Sequence, residues 1–251
     1  MSDTVIADFD RTLTREVFDR RAAQGAAALT GLGAGADVPV AVIMRNDLTQ
    51  LEVMRAAAMA GTVIVAQNWH AADDEAGAIC DDSGARFVII HRDLIDALRP
   101  ALEGRTVIAI TPDAALREAY GIDDAAAQTD PETPEWSTLV DAASPITPRE
   151  MMRPLMRYTS GSTGKPKGVR RLGGGPKRDF EDVLSRVGTE MLQLKPGSRF
   201  FTAAPIYHSA PSTLTSAALV APGVSTFVAP KFDPESLSKR SGSPISIWYP
   251  P

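Results

Sequence analysis

The chain has 251 residues, of which 44% are hydrophobic and 23% are charged, and its formal net charge is −5. This composition supports a folded protein with a sizeable core and argues against a disordered chain or a basic nucleic-acid-binding surface. Neither a secretory leader nor an apolar run of roughly 20 residues that could span a membrane is predicted. Because Cys80 is the single cysteine, no internal disulfide is expected, and a reducing, cytoplasmic location is favoured.

The first half of the chain alternates helical and strand patterns. Apolar residues recur at near-helical spacing over residues 14–30, and Asp47 can cap a second helix that stops at Gly61. Further helices are predicted over residues 72–84 and over DLIDALRPAL, which is broken near Pro100. Short runs rich in branched apolar residues predict buried strands at 39–44, 62–66, 86–90 and 106–110. The alternation indicates an α/β fold, with a layered, mostly parallel sheet flanked by helices.

The second half is less regular. Residues 111–150 are dense in proline, aspartate and threonine, which predicts a surface excursion. An amphipathic helix is predicted over residues 179–194, and two strands, 199–204 and 225–230, flank a helix of small residues. We therefore predict two units. Residues 1–170 form a first α/β subdomain that ends in a glycine-rich loop, and residues 171–251 begin a second, incomplete one.

The glycine-rich segment Tyr158–Val169, YTSGSTGKPKGV, most clearly carries chemistry. Its hydroxyls and two lysines can supply hydrogen bonds and positive charge to a triphosphate, and its glycines let main-chain N–H groups approach phosphate oxygens. Pro166 disfavours a helix at Lys165, so the segment differs from the P-loop, in which Gly-Lys-Ser/Thr opens a helix. The pattern predicts a phosphate-binding loop, with a plain flexible linker as the alternative.

This loop resembles the signature of the adenylate-forming (AMP-binding) superfamily, which includes acyl-CoA synthetases, luciferases and peptide-synthetase adenylation domains. Other segments resemble bacterial fatty-acid-type CoA ligases in the same order: FDRRAAQ, VAVIMRNDLTQLEVMRAAAMAG, NWHAADDEAGAICDDSG and APIYHSAP. The resemblance covers about residues 15–236 and implies part of the large N-terminal domain of such a ligase. It further implies an ATP-dependent ligase that joins a carboxylate to AMP, releases pyrophosphate and passes the acyl group to CoA. ATP, Mg²⁺ and CoA would take part, and the substrate would be a fatty or aryl acid.

The resemblance also implies roles for individual residues. The groups that would hold the β- and γ-phosphates of ATP with Mg²⁺ are Thr159, Ser160, Gly161, Ser162, Thr163, Gly164 and Lys167. His208, in PIYHSAP, would lie at the wall of the acyl pocket, with a structural role as the alternative. His70 and His91 are predicted to be structural, and the scattered histidines and single cysteine indicate no protein metal site.

No catalytic residue is assigned in this chain. Ligases of this kind carry a Tyr-Gly-x-Thr-Glu-like segment, a ribose-binding Asp and a small C-terminal domain with a catalytic Lys, and none of these is found here. Two hypotheses follow. The chain is a ligase completed by a partner chain, or it is a non-catalytic nucleotide-binding, acyl-binding or scaffolding domain stabilised by homodimerisation.

Two other motifs suggest different functions. Asp8-Phe9-Asp10-Arg11-Thr12 resembles the D-x-D-x-T motif of haloacid-dehalogenase-type phosphatases, in which the first Asp is the nucleophile and the second a general acid. Only VIA precedes it, so an acidic N-terminal tail is the preferred interpretation. Residues 31–36 loosely match a dinucleotide-binding fingerprint, but they follow a predicted helix and precede a strand, which favours a simple helix stop.

Overall fold

The computed structural model describes residues 4–128, 130, 132–152, 155–159, 167–169, 175–233 and 246–247. The strands are β1 (Val5–Ala7), β2 (Thr12–Thr14), β3 (Val40–Ile43), β4 (Ile64–Ala66), β5 (Phe87–His91), β6 (Thr106–Ile110), β7 (Met151–Met152), β8 (Met156–Thr159), β9 (Lys167–Val169), β10 (Gly175–Pro176), β11 (Arg199–Thr202), β12 (Ser225–Val228) and β13 (Ser246–Ile247). The helices are α1 (Arg15–Gly31), α2 (Leu48–Ala60), α3 (Asp73–Ser83), α4 (Arg99–Leu102), α5 (Ala114–Tyr120), α6 (Trp136–Ala142), α7 (Lys177–Arg186) and α8 (Ser209–Val220).

The first sheet has the strand order β6-β5-β3-β4-β8-β9. Its neighbouring strands are parallel except for the last pair, β8 and β9. The inner strands β3 and β5 are buried along their whole length, as expected for a sheet covered by helices on both faces. The predicted α/β fold with a mostly parallel sheet is thus confirmed.

The second sheet has the order β13-β11-β12-β1-β2. β1 and β2 form an antiparallel hairpin, and β1 pairs in parallel with β12. The N-terminal residues are therefore part of a sheet, and the interpretation of this segment as an acidic tail was wrong. The predicted subdomain boundary near residue 170 stays a prediction, although the N-terminal strands pair with strands that lie beyond it.

Helix α2 contributes to the cores beneath both sheets. Val53 and Ala56 pack with residues of the first sheet, whereas Leu48 and Leu51 pack with Ile6 of the second. The ends of the helix follow the sequence prediction. The Asp47 side chain accepts a hydrogen bond from the Gln50 main-chain N–H at 2.6 Å, and Gly61 ends the helix in a left-handed conformation.

Two stretches differ from their predictions. DLIDALRPAL forms only a 3₁₀ turn and the short helix α4, because proline is accommodated in the first turn of a helix and not in its interior. The stretch 111–150 is not simply a surface excursion, since it contains α5 and α6. Trp136 of α6 is only 1% exposed and packs in the core of the first sheet, where its indole N–H donates to Glu52 at 2.9 Å.

Candidate phosphate hairpin and adjoining helix

The predicted phosphate loop connects two antiparallel strands at the edge of the first sheet. Tyr158 pairs with Gly168, and Thr159 pairs with Lys167, so the two ends of the loop lie side by side. The chain continues after the loop as a strand, which distinguishes it from a P-loop that opens a helix. We call residues 156–169 the phosphate hairpin. Five of the predicted phosphate ligands, Ser160, Gly161, Ser162, Thr163 and Gly164, lie outside the described residues.

The base of the phosphate hairpin is fixed on one face by Tyr158. Its hydroxyl donates a hydrogen bond of 2.6 Å to Asp82 at the end of α3. Burial and the neighbouring Asp82 carboxylate both raise the pKa of Tyr158, so the phenol stays protonated as a donor. A Cβ atom at Gly168 would lie 2.8 Å from Cζ of Tyr158, so only glycine leaves room for the ring to lie across β9.

The opposite face of β8 carries Arg157. Its Nη2 atom lies 3.3 Å from Oγ1 of Thr213 and 3.5 Å from the main-chain oxygen of Ser209, both in the first half of α8. Because successive side chains of a strand point to opposite faces, Arg157 and Tyr158 contact different helices. The phosphate hairpin is therefore attached to α3 on one side and to α8 on the other.

His208 occupies the N-cap position of α8. Its main-chain N–H donates to Pro205, its main-chain oxygen accepts from the N–H of Ser212, and its exposed ring lies against Tyr207 with 4.3 Å between ring centroids. The residue directly after it, Ser209, is the one that Arg157 contacts. The structure thus brings His208 and the base of the phosphate hairpin to the same end of α8.

Asn46 holds the segment that leads into His208. Its amide nitrogen donates to the oxygen of Ala204, and its amide oxygen accepts from the N–H of Ile206, each at 2.9 Å. This pair of hydrogen bonds joins the end of β3 in the first sheet to the β11–α8 connection in the second. Sequence analysis missed Asn46, although a polar residue placed directly after a buried strand is the signal that could have identified it.

Both ring nitrogens of the buried His91 have polar partners. The side chain is 0% exposed, with Nε2 3.0 Å from Oδ2 of Asp47 and Nδ1 3.1 Å from the main-chain nitrogen of Arg45. Since the Arg45 N–H must be the donor to Nδ1, the imidazole proton lies on Nε2 and is donated to Asp47. These contacts fit the predicted structural role.

Both carboxylates of the phosphatase-like motif serve as main-chain acceptors. Asp8 accepts from the N–H groups of Asp10, Arg11 and Leu48 at 2.7–3.1 Å, and its side chain is 3% exposed. Asp10 accepts from the N–H of Ala115 at 2.7 Å. The buried Asp8 carboxylate thus stabilises the turn between β1 and β2 and the first turn of α2, and it is not presented to a substrate. The basis of the phosphatase alternative is thereby removed.

A cavity of about 650 Å³ near the β1–β2 hairpin is lined by three arginines, Arg11, Arg21 and Arg92. Each of them is paired with a carboxylate, namely Asp8, Glu52 and Glu135 respectively. These carboxylates compensate the positive charge of the arginines. The arginines that line the cavity are therefore explained by structural ion pairs. Within the described ranges, each helix is too short or too polar to traverse a bilayer.

Comparison with known proteins defines the class. The family model of the AMP-binding enzymes matches residues 1–241, so the chain belongs to the AMP-binding enzyme family. It is 28% identical over 203 residues to a fatty acid–acyl-carrier-protein ligase of Streptomyces coeruleorubidus, covering 79% of this chain and 35% of the relative. It is 29% identical over 231 residues to a feruloyl-CoA synthase of Amycolatopsis sp, covering 92% of this chain and 42% of the relative. The predicted resemblance to adenylate-forming ligases is confirmed.

The fold is shared with solved ligases. An acyl-CoA synthetase of Brucella canis superimposes with a TM-score of 0.76 at 17% identity, covering 98% of this chain and 44% of that one. At this level of identity the similarity concerns the fold alone. The chain therefore spans less than half the length of these three proteins.

Proposed function

We propose that this chain supplies the ATP-phosphate-binding part of an ATP-dependent acid–CoA ligase. The main support is the phosphate hairpin, which sets Thr159 beside Lys167 at the two ends of a loop rich in glycine and hydroxyls, in a chain that belongs to the AMP-binding family. In the proposal, the β- and γ-phosphates contact Thr159, Ser160, Gly161, Ser162, Thr163, Gly164 and Lys167. Mg²⁺ enters with ATP, and the location is cytoplasmic.

The proposed reaction has two steps. A carboxylate oxygen of the acid attacks the α-phosphorus of ATP, which forms an acyl-adenylate and expels pyrophosphate. The thiol of CoA then attacks the acyl carbon, which forms the thioester and releases AMP. The hairpin would contribute to the first step, because donors and a lysine arranged in advance around the leaving pyrophosphate stabilise its growing negative charge.

His208 would form part of the pocket for the acid. It lies at the N-cap of α8 and is exposed, so its ring is accessible to a ligand on that side. A fatty or aryl acid is the proposed substrate class, in keeping with the fatty-acid and feruloyl substrates that the names of the relatives record. The boundary between the two proposed subdomains lies near residue 170.

A second candidate is a binding or scaffolding domain without ligase activity, since no catalytic residue is assigned within these 251 residues. Pyrophosphate exchange, measured with ATP and a panel of fatty and aryl acids, separates the two. Exchange by the chain alone would support a working ligase. ATP binding without exchange would support the binding domain, or a ligase completed by a partner chain or a second copy.

The phosphate loop itself is tested by titrating ATP·Mg²⁺ onto the protein by calorimetry. Lys167→Ala should weaken binding about tenfold or more, because a hydrogen-bonded charge pair is lost. Lys195→Ala, which removes the same charge from an exposed position beyond the hairpin, is the matched control and should bind ATP as the unaltered protein does. Equal affinities for Lys167→Ala and the unaltered protein would count against the assignment.

A further inference from the structure

Arg157 is the one charged side chain that joins the described part of the phosphate hairpin to α8. Its Nη2 atom approaches Oγ1 of Thr213 at 3.3 Å and the oxygen of Ser209 at 3.5 Å, while the Thr213 hydroxyl itself donates to the Ser209 oxygen at 2.9 Å. The guanidinium therefore adds donors to an existing side chain–main chain hydrogen bond within the helix. Thr159, the first of the proposed phosphate ligands, lies two residues further along the strand.

The surroundings make this contact important for the orientation of the hairpin. Among the described residues, β9 pairs with no strand other than β8, so the described part of the hairpin is joined to the rest of the sheet through β8. A cavity of about 420 Å³ lies beside the contact and is lined by Leu155, Arg157, Thr213, Ser216 and further residues of α2, α7 and α8. Since part of the space between β8 and α8 is open, packing does not by itself fix their separation, and a bridging side chain can do so.

We propose that Arg157 is a positioning residue that fixes the phosphate hairpin relative to the His208 end of α8. The proposal rests on the proposed function, which assigns the hairpin to the phosphates of ATP. A guanidinium suits this task because its planar, multiple donors can serve two acceptors at once, whereas an ammonium is a single point charge. The arrangement holds the described base of the hairpin and the His208 end of α8 in one fixed relation.

The test is a double-mutant cycle on the affinity for ATP·Mg²⁺, measured by calorimetry on the full chain. Arg157→Ala should weaken binding about fivefold, the loss expected for one or two ordinary hydrogen bonds. Thr213→Val removes the side-chain acceptor on α8 but leaves the main-chain oxygen of Ser209, so it should weaken binding by a smaller factor, about twofold. The double variant should bind no more weakly than Arg157→Ala, because the two residues act through one contact.

Conservative variants and a charge control complete the experiment. Arg157→Lys and Thr213→Ser each keep one donor or acceptor and should recover part of the lost affinity. Arg178→Ala removes an exposed arginine of α7 and should leave ATP binding unchanged. Affinities are compared at a temperature where circular dichroism shows every variant folded, so that a change in stability alone cannot produce the result.

Each outcome decides the matter. The inference is overturned if Arg157→Ala binds ATP normally while Lys167→Ala does not, and the proposed function then survives. It is also overturned if Arg157→Ala weakens binding but Thr213→Val has no effect, because the loss would then not depend on the contact between Arg157 and Thr213. If the unaltered protein binds no ATP, or binds it independently of Lys167, the proposed function fails and the inference fails with it.

Discussion

The first and second sheets differ in how far apart along the chain their paired strands lie. In the first sheet, Val40 pairs with Ile64 on one side and with Phe87 on the other, so each neighbour is one or two βα units away. In the second sheet, Ile6 pairs with Thr226, and the main-chain N–H of Val5 donates to the Ser225 hydroxyl across 220 positions. Strands β3–β6 of the first sheet are thus built from successive local units, β8 joins them from about ninety positions away, and the second sheet is closed by a pairing across 220 positions.

The largest expected effect is in the cores of the two sheets. Ile89 of β5 and Ile6 of β1 are both 0% exposed. Ile89→Ala and Ile6→Ala should each lower the free energy of unfolding by about 3 kcal/mol, because each leaves a cavity as well as losing buried apolar area. Urea denaturation measures both losses, and a loss below about 1 kcal/mol would contradict the burial of that strand.

Hydrogen exchange in the same pair of variants sharpens the comparison. Ile6→Ala should speed exchange in β1 and β12, where the long-range pairing is weakened, and leave β3 and β5 protected. Ile89→Ala should speed exchange throughout the first sheet. If Ile6→Ala accelerated exchange in β3 and β5 as much as in β1 and β12, the two sheets would open as one unit. That result would contradict the proposed difference between the two sheets.

An intermediate effect is expected where α1 crosses α2, the helix shared by both cores. A Cβ atom at Gly25 would lie 2.6 Å from Cζ2 of Trp136 and 3.0 Å from Cβ of Ala56. Gly25→Ala should therefore lower the free energy of unfolding by about 1–2 kcal/mol, although alanine favours a helix over glycine by about 1 kcal/mol. The change is measured by thermal or urea denaturation.

Gly77→Ala in α3 is the matched control for this substitution. The nearest atom to its Cβ would be Cα of Ala101 at 3.5 Å, an ordinary contact distance. With no clash, helix propensity should dominate, and the variant should gain up to about 1 kcal/mol. A stabilising Gly25→Ala, or the reverse order of the two variants, would contradict the close packing at Trp136.

A pH-dependent effect is expected at the junction between the N-terminal hairpin and α5. Burial raises the pKa of Asp113 to about 7, and the nearby carboxylates of Asp47 and Asp8 add to the rise. Between pH 3.8 and about 7, the Asp113 carboxyl therefore keeps a proton in the folded protein that it releases in the unfolded chain. The contribution of Asp113 to stability is complete below its ordinary pKa of 3.8 and is lost as the pH rises through about 7.

The substitution Asp113→Asn tests the direction of this pH dependence of stability. The amide oxygen can still accept the hydrogen bond from the Leu116 N–H but carries no charge at any pH. The variant should gain stability relative to the unaltered protein as the pH rises from 5 to 8. Urea midpoints at the two pH values measure it. A stability difference that does not change with pH would contradict the raised pKa.

The local units of the first sheet could be predicted from sequence because their signals are local. Branched apolar runs mark the strands, and Asp47, Gly61 and Gly84 mark helix ends where the structure has them. The β1–β2 hairpin could not be predicted in this way. Its strands have only three residues each, and the partner that stabilises β1 is more than two hundred positions away.

The residues of the candidate site likewise differ in whether a local sequence signal identifies them. The phosphate loop is conspicuous because its glycines, hydroxyls and lysines are contiguous, so composition alone indicates its chemistry. Arg157 and Asn46 carry no such signal, since each acts through a contact with a residue far along the chain. Trp136 was hidden by the proline-rich stretch around it; it packs in the core of the first sheet, where Glu52 accepts its N–H.

The pairing of β1 with β12 has a consequence for synthesis on the ribosome. β1 is made well before its parallel partner, Ser225–Val228, which follows about 220 positions later. At about 5–20 residues per second, this interval lasts about 10–40 s. During that time the side of the nascent β1 strand that will pair with β12 is available to chaperones or to neighbouring nascent chains, so β1 waits through the synthesis of the whole intervening segment for this native neighbour.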